Sequence, residues 1–360
     1  MKLNRSLYTN ALFACAISPI IAWLSAGNAH GQETDEPIRQ TAQKTEAQHN
    51  KVVSAFEYKF PAIGTLVTFK AFSDDEKKVE RAFTQARERV EALGNRFSDY
   101  VDNSEARLLP QQAADRFIEP SDEMKELLQN SARWHRQSLG TFDASLGTLT
   151  KLYRKYRRRE VLPPQAKITA ALQHCGWSKV ELSPSGAIKI LDRELQLDFG
   201  AIGKGFIVDK AFETLQSQGL DICMVDISGN IRCGAPPPGY PGWKVAVAPM
   251  KKGGKPLRQI EIANQAIATS GDLWQYVVVD GVRRSHIIDP RTGVGVVGPV
   301  SASVIAQSAT DADAMATASC ILTTKQALKI AEEQKLEVLI AHNSQGRLNV
   351  VCSEAFPEDQ

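Results

Sequence analysis

No two cysteines in this chain stand two residues apart, which excludes a C-x-x-C zinc or redox motif. Of the six cysteines, Cys15 falls in an N-terminal segment that reads as removable. The five that remain, Cys175, Cys223, Cys233, Cys320 and Cys352, cannot all pair. Buried free thiols are the simpler expectation, with one disulfide the alternative in an oxidising compartment. Charge of one sign is also lacking. A formal net charge of +2 gives no basic field, so nucleic acid binding would need a local patch. The one candidate, Arg154, Lys155, Arg157, Arg158 and Arg159, lies at the end of an expected helix and reads as a solvated terminus favoured by the helix dipole. Nucleic acid is therefore not an expected partner. Internal repeats are absent, as are low-complexity tracts after Lys51. With 360 residues, 43% hydrophobic and 23% charged, the chain can bury a large core.

Long hydrophobic runs are missing too. Residues 11–26 are apolar but interrupted by Ser18 and Pro19, too short for a comfortable membrane span. Preceded by Lys2 and Arg5 and followed by small residues at Gly27, Ala29 and Gly31, the run reads as a secretory signal peptide over residues 1–31. Cys15 after Leu12-Phe13-Ala14 faintly resembles a lipoprotein processing site, which leaves lipid anchoring open. Residues 32–51 are polar without an aromatic and read as a flexible tether. The expectation is an exported, periplasmic or cell-envelope protein whose folded domain covers residues 52–356.

Along that domain, two strand-like runs flank Pro61 and Gly64. Ser73 with Glu76 suggests a capping box before a helix with Val79, Phe83, Ala86, Val90 and Leu93 on one face. Further helices are predicted from Ser121 to Ser138, Ser145 to about Arg158, and between Pro164 and Gly176. Strands follow at 179–182, 187–191 and 194–199. After a helix ending near Gly219 come strands at 222–225, 243–247, 259–263, 276–279 and 301–306. Helices at 309–323 and 324–335 then precede strands at 337–341 and 347–352. Hairpin-like and crossover connections together predict an α+β fold with a mixed sheet and packed helices.

The stretch from Leu197 to Ala211, LDFGAIGKGFIVDKA, carries the most chemical information. It sets Asp198 at an expected strand end, Gly200, Gly203 and Gly205 within six residues, and Lys204 where a helix should begin. Unpaired N–H groups, a lysine and close backbone approach suit a phosphate or metal cradle. No Walker loop is present, because only Ala201 and Ile202 separate Gly200 from the Gly203-Lys204 pair. The dinucleotide fingerprint fails because Val208 follows where a third glycine is needed. On spacing alone the segment reads equally as a ligand cradle or as a bare strand-to-helix turn.

Four other segments could carry chemistry. In SATDADAMATAS, Ser308 and Asp311 form a plausible capping box, which places Asp313 and Thr317 one helical turn apart. A carboxylate beside a hydroxyl offers hard oxygen ligands suited to magnesium; helix-dipole complementation and packing are the bland reading. Between the strands of residues 266–296 lie Thr269, Ser270, Gly271 and Asp272, then His286 and the turn Asp289-Pro290-Arg291-Thr292-Gly293. His286 is either hydrogen-bonded scaffold or a general base near pH 7. GTFDASLG puts Asp143 near a helix N-terminus, where capping alone would explain it. RFSDYVDNSEARL is an irregular polar loop whose Tyr100 could stack on a planar ring or be a surface tyrosine.

Taken in order, these segments, with AIGTLVTF and DISGNIRCG, resemble the FAD:protein FMN transferase (ApbE-like) family across residues 60–322. The resemblance implies a T-fold-related α+β architecture and a secreted, magnesium-dependent enzyme. Such enzymes split FAD, pass FMN to a Thr or Ser hydroxyl of a partner protein as a phosphoester, and release AMP. By matching position, Mg2+ would be held by the Ala201 carbonyl, Asp313 and Thr317. FAD would meet Ile63, Tyr100, Thr141, Phe142, Asp143, Asp198 and Lys204, with His286 and Ile288 closing the pocket. His286 or Asp289 is the candidate base. The chain departs from the family at Ile63, where Met is common, and at Gly200-Ala201-Ile202-Gly203, where Gly-Gly-Ile-Ala is commoner. The implied partner is an exported acceptor protein of a membrane electron-transfer system. FAD hydrolysis to FMN and AMP, and a non-catalytic periplasmic flavin carrier, are the competing readings.

Overall fold

The computed structural model describes residues 4–6 and 53–360 apart from Ala248, Pro249 and Gln345. The tether, Cys15 and most of the expected signal peptide lie outside the described residues. The frame of the domain is a sheet of nine strands. In chain order these are β1 (Asn4–Ser6), β2 (Ser54–Ala62), β3 (Thr65–Ser73), β6 (Cys223–Ile227), β7 (Asn230–Cys233), β10 (Ala266–Gly271), β14 (Val300–Ala306), β15 (Glu337–Ser344) and β16 (Arg347–Cys352), and they lie side by side in that order. Among the described residues three small sheets complete the strands: the hairpins β4 (Val180–Leu182) with β5 (Ile188–Ile190) and β8 (Trp243–Val247) with β9 (Arg258–Ile262), and the three-stranded β11 (Tyr276–Val279), β12 (Val282–Asp289) and β13 (Val294–Val297). The class is α+β, as the sequence predicts, and each pairing between named strands is antiparallel.

The helices are α1 (Glu76–Phe97), α2 (Glu105–Gln112), α3 (Asp122–Gln137), α4 (Gly147–Arg157), α5 (Gln165–Leu172), α6 (Gly203–Ser217), α7 (Ala309–Ser319) and α8 (Thr324–Gln334). α6 packs between α1 and α7, and α7 lies on β10 and β14. Strand alternation sorts side chains to two cores. Ala302, Val304 and Ala306 of β14 join the helices, while Ile305 faces a second cluster with Trp243, Val245, Ile260 and Phe356. Burial on both faces explains why β14 reads as an unbroken apolar run.

Several local expectations change. α1 is capped by Asp75, whose carboxylate accepts the Lys78 N–H at 3.0 Å, so no Ser73–Glu76 box forms. Ser308 does cap α7, but the Asp311 carboxylate turns to Arg133 and to the Trp134 indole at 2.8 Å instead of closing the box. α4 starts after Leu146 without a side-chain cap, so Asp143 is not its cap. The strand expected at 194–199 is not one: Leu195 N–H bonds to Asp192 O and Asp198 N–H to Ala144 O, partners outside any ladder. α2, β7, β10, β12 and β13 are elements the sequence reading did not separate. All five cysteines of the described residues are free, with four buried, which agrees with the thiol expectation.

Candidate active site

The LDFGAIGKGF segment makes a tight turn into α6. Ile202 and Gly203 both donate backbone N–H groups to Phe199 O, at 3.1 and 2.6 Å. Asp198 fixes the entry, accepting the Gly200 N–H at 2.8 Å and the Thr150 hydroxyl of α4 at 2.6 Å. Lys204 Nζ donates to Gly200 O at 3.2 Å and stands 3.7 Å from Asp313 Oδ1. The other carboxylate oxygen of Asp313, a residue only 2% exposed, accepts the Gly205 N–H at 3.0 Å. From the sequence, the glycines serve either a ligand or a bare strand-to-helix turn. Gly205 instead lets two helices touch: a Cβ there would come within 2.2 Å of Ala309 O and 2.9 Å of Asp313 Cβ.

Thr317, one turn beyond Asp313, shares a hydroxyl hydrogen bond of 2.8 Å with Ser270 of β10. Ala201 lies in the turn that begins α6, so all three implied metal ligands sit around the α6–α7 contact. Among the described residues no group of three or more His, Cys, Asp or Glu is placed to hold a metal. The donor set here is of another kind, one carboxylate, one hydroxyl and a carbonyl, which suits a hard cation. The Lys204 ammonium close to the Asp313 carboxylate shows that this position already attracts positive charge. The α7 end is pinned by Asp209 of α6, which accepts the Ala309 and Thr310 N–H groups at 2.9 Å each, the Thr310 hydroxyl at 2.5 Å and Arg232 at 2.7 Å.

Beside this contact, Tyr100 is 68% exposed and its ring lies on the Arg154 guanidinium, 4.5 Å from the ring centre. Arg154 also binds Asp99 and stands 4.0 Å from Asp198. Burial pushes the Asp99 carboxyl up and the Arg154 hydrogen bond opposes it, while Asp198 pushes it further up. Burial works against the Arg154 charge as well, but Asp99 and Asp198 hold it firmly protonated. The expected solvated basic terminus is thus only partly solvated: Arg154 and Arg157 turn inward, while Lys155, Arg158 and Arg159 are exposed.

His286 sits on β12 where the register with β13 shifts between Arg284 and Ile288, an irregularity that re-aims a side chain. Its backbone N–H and its ring Nδ1 both bond Gln275 O at 3.1 Å. A carbonyl only accepts, so Nδ1 carries the proton and Nε2 keeps its lone pair. Surrounding protein, then the Arg157 charge, push the imidazole pKa down to about 4. The ring nevertheless meets solvent. A neutral imidazole with solvent access can accept a proton. Asp289, the other candidate base, has both oxygens held by Arg291, at 2.9 and 2.7 Å. Despite burial, Arg291 keeps its carboxyl below the usual range, which makes it the weaker base.

The remaining predicted contacts are held largely by the surrounding fold. Thr141 and Phe142 are buried, the Phe142 ring in the main core. Asp143 spends one oxygen on Ser145, whose N–H lies at 2.7 Å, and the other on the Trp177 N–H at 3.2 Å. Ile288 belongs to a small core with Leu146, Leu149, Ile168 and Cys175. Ile63 occupies the two-residue turn joining β2 and β3 with φ of 46°, ahead of Gly64 at 75°. A β-branched residue there costs roughly 1–2 kcal/mol. Gly94 of α1 makes room for it, since a Cβ would come within 2.0 Å of the Ile63 methyl. Thr150, Arg154, Asp99, Ser270, Gln275 and Asp209 are site residues that the sequence reading missed. Asp99, Asp209, Ser270 and Gln275 fall in segments singled out for their chemistry and Arg154 in the basic run, but the sequence assigns none of them a role.

A profile of the ApbE family matches residues 63–340. The chain is similar to the FAD:protein FMN transferase of Vibrio cholerae serotype O1, with 28% identity over 305 residues spanning 82% of this chain and 90% of that relative. Its similarity to the FAD:protein FMN transferase of Treponema pallidum is 30% over 294 residues, 75% of this chain and 80% of the other. Among solved structures, the flavin transferase ApbE from Vibrio cholerae superposes with a TM-score of 0.75 at 26% identity, covering 85% of this chain and 99% of that one. The apo flavinyl transferase ApbE of Pseudomonas stutzeri, at 24% identity and a TM-score of 0.75 over 84% and 96% of the two chains, shares the fold. With a profile match across most of its length and relatives of this kind, the chain belongs to the ApbE family.

Proposed function

We propose that this protein transfers FMN from FAD to a Thr or Ser hydroxyl of an exported partner protein, with Mg2+ bound and AMP released. The observation that carries the reading is the Gly205–Asp313 contact. It joins the glycine-lysine turn to the helix bearing Asp313 and Thr317, in a family whose curated members are named for this transfer. Asp313, Thr317 and the Ala201 carbonyl would hold Mg2+, which neutralises phosphate charge as phosphoryl transfer proceeds. Lys204 adds a fixed positive charge from the start of α6. His286 Nε2 takes the proton of the acceptor hydroxyl, whose oxygen bonds to the FMN phosphorus. The phosphorus–oxygen bond to AMP breaks, and its electron pair leaves with AMP. Tyr100, exposed above Arg154, would cover a flavin ring.

Export to the periplasm or cell envelope, and an acceptor within a membrane electron-transfer system, belong to the same proposal. Purified protein incubated with FAD, Mg2+ and an acceptor domain should leave flavin fluorescence that survives denaturation. No label above an Asp313→Ala control would overturn the reading. AMP released equally fast without acceptor would favour a hydrolase, and FAD binding that survives chelation without AMP release would favour a carrier.

A further inference from the structure

We propose that Arg157 is a phosphate-binding residue of this site: its guanidinium takes an oxygen of the substrate's pyrophosphate, and Gln275 fixes its position relative to His286. The inference rests on FAD being the substrate. Gln275 makes the link by bonding both residues, through its side-chain oxygen to Arg157 Nη1 at 2.7 Å and through its backbone oxygen to His286 Nδ1 at 3.1 Å. Arg157 is half-buried at the last position of α4, while Arg158 and Arg159 beyond it are exposed.

The two inward arginines of α4 differ in one decisive respect. Arg154 is balanced by Asp99 and by Asp198. Arg157 forms no ion pair among the described residues, and its hydrogen bond goes to a neutral amide. A guanidinium has five donors, and withdrawing one from water without an anion is costly. Burial is the leading influence against its charge, and Arg154 and Arg158 add to it. The charges that act on His286 are Arg157 and Lys204 against one acid, Asp272, and Asp272 is already bonded to Arg283 at 2.8 Å. Lys204 has Asp313 at 3.7 Å, which leaves Arg157 as the uncompensated charge beside the candidate base; it calls for an anion, and a guanidinium fork matches phosphate oxygens.

Binding of ADP, which carries the pyrophosphate, and of riboflavin, which carries none, separates this role from a structural one without relying on turnover. By calorimetry on the full protein, Arg157→Gln should weaken ADP about ten- to hundred-fold, as for loss of a charge-assisted hydrogen bond, and leave riboflavin within about two-fold. Arg157→Lys should recover part of the ADP affinity. Unchanged ADP binding, or equal losses for ADP and riboflavin, would overturn the assignment. Should wild type bind ADP in this Arg157-dependent way yet label no acceptor, the transferase reading fails and the phosphate site stands.

Discussion

Gly205 of α6 and Asp313 of α7 meet through a 3.0 Å backbone-to-carboxylate hydrogen bond. The missing Cβ of Gly205 is what lets the helices come this close. Helix contact and the proposed metal ligand would therefore be one feature, and substitutions here should touch stability and chemistry together.

For Gly205→Ala, two effects oppose. Alanine gains about 1 kcal/mol of helix propensity. Overpacking typically costs about 1–3 kcal/mol, and the clash here at 2.2 Å is with the Ala309 backbone carbonyl, which cannot swing away. The unyielding carbonyl puts the cost at the upper end of that range, about 2–3 kcal/mol, so the expected net destabilisation is about 1–2 kcal/mol in a denaturant titration. A rise in the Mg2+ concentration needed for half-maximal activity should accompany it.

Asp209 binds the first turn of α7 and Arg232 together. Asp209→Ala leaves two helix N–H groups without their acceptor and leaves Arg232 only the more distant Glu213, at 3.9 Å. A loss of about 3 kcal/mol is expected, low in the range for a broken buried pair because Arg232 keeps some solvent contact. Chemical unfolding of Asp209→Ala beside wild type measures it.

His286 should act as a base well below neutral pH. Its imidazole is shifted down to about 4 from the ordinary 6.5, so the neutral form survives mild acid. The acid limb of kcat/KM should therefore fall below pH 6.5, toward 4. Stability follows the same sign: any contribution is complete above 6.5 and is lost as pH falls toward 4, and solvent at the ring keeps it small. His286→Gln should lower the rate about 10²- to 10⁴-fold and abolish that limb. A pH–rate profile with its limb at 6.5 or above would contradict this assignment.

Tyr100→Ala removes an exposed ring whose partner Arg154 is held by Asp99. Melting temperature should stay within about 2 °C, since surface changes cost little. KM for FAD should rise about five- to thirty-fold, as for loss of one stacked ring. Riboflavin inhibition should weaken in parallel.

How much of this was legible in the sequence depended on whether a residue's partner was near in the chain. Helices α3 and α6 show their ends, from Ser121 to Ser138 and from near Lys204 to Gly219, and lie close to them, while α1 shows its apolar face but not its Asp75 cap. β12 carries Arg283, Arg284 and Ser285, and β10 ends in Thr269, Ser270 and Gly271, so neither looks like a buried strand. Both are set by their ladders with distant strands. α2 hides behind Pro110, inside the helix itself. In the site, Asp198, Lys204, Asp313 and Thr317 stood out because their motifs are local. Asp209, Gln275 and Arg157 act through residues a hundred or more positions away, which no spacing reveals.

The most direct measurement is the ratio of AMP released to FMN covalently transferred, followed as Mg2+ is titrated. With acceptor present, wild type should give one AMP per labelled acceptor, about 1:1, rising together with Mg2+ and absent after chelation. Asp313→Asn should give neither product at the same Mg2+. Label formed without metal, or at wild-type rate in Asp313→Asn, would contradict a phosphoryl-transfer site built on the α6–α7 contact.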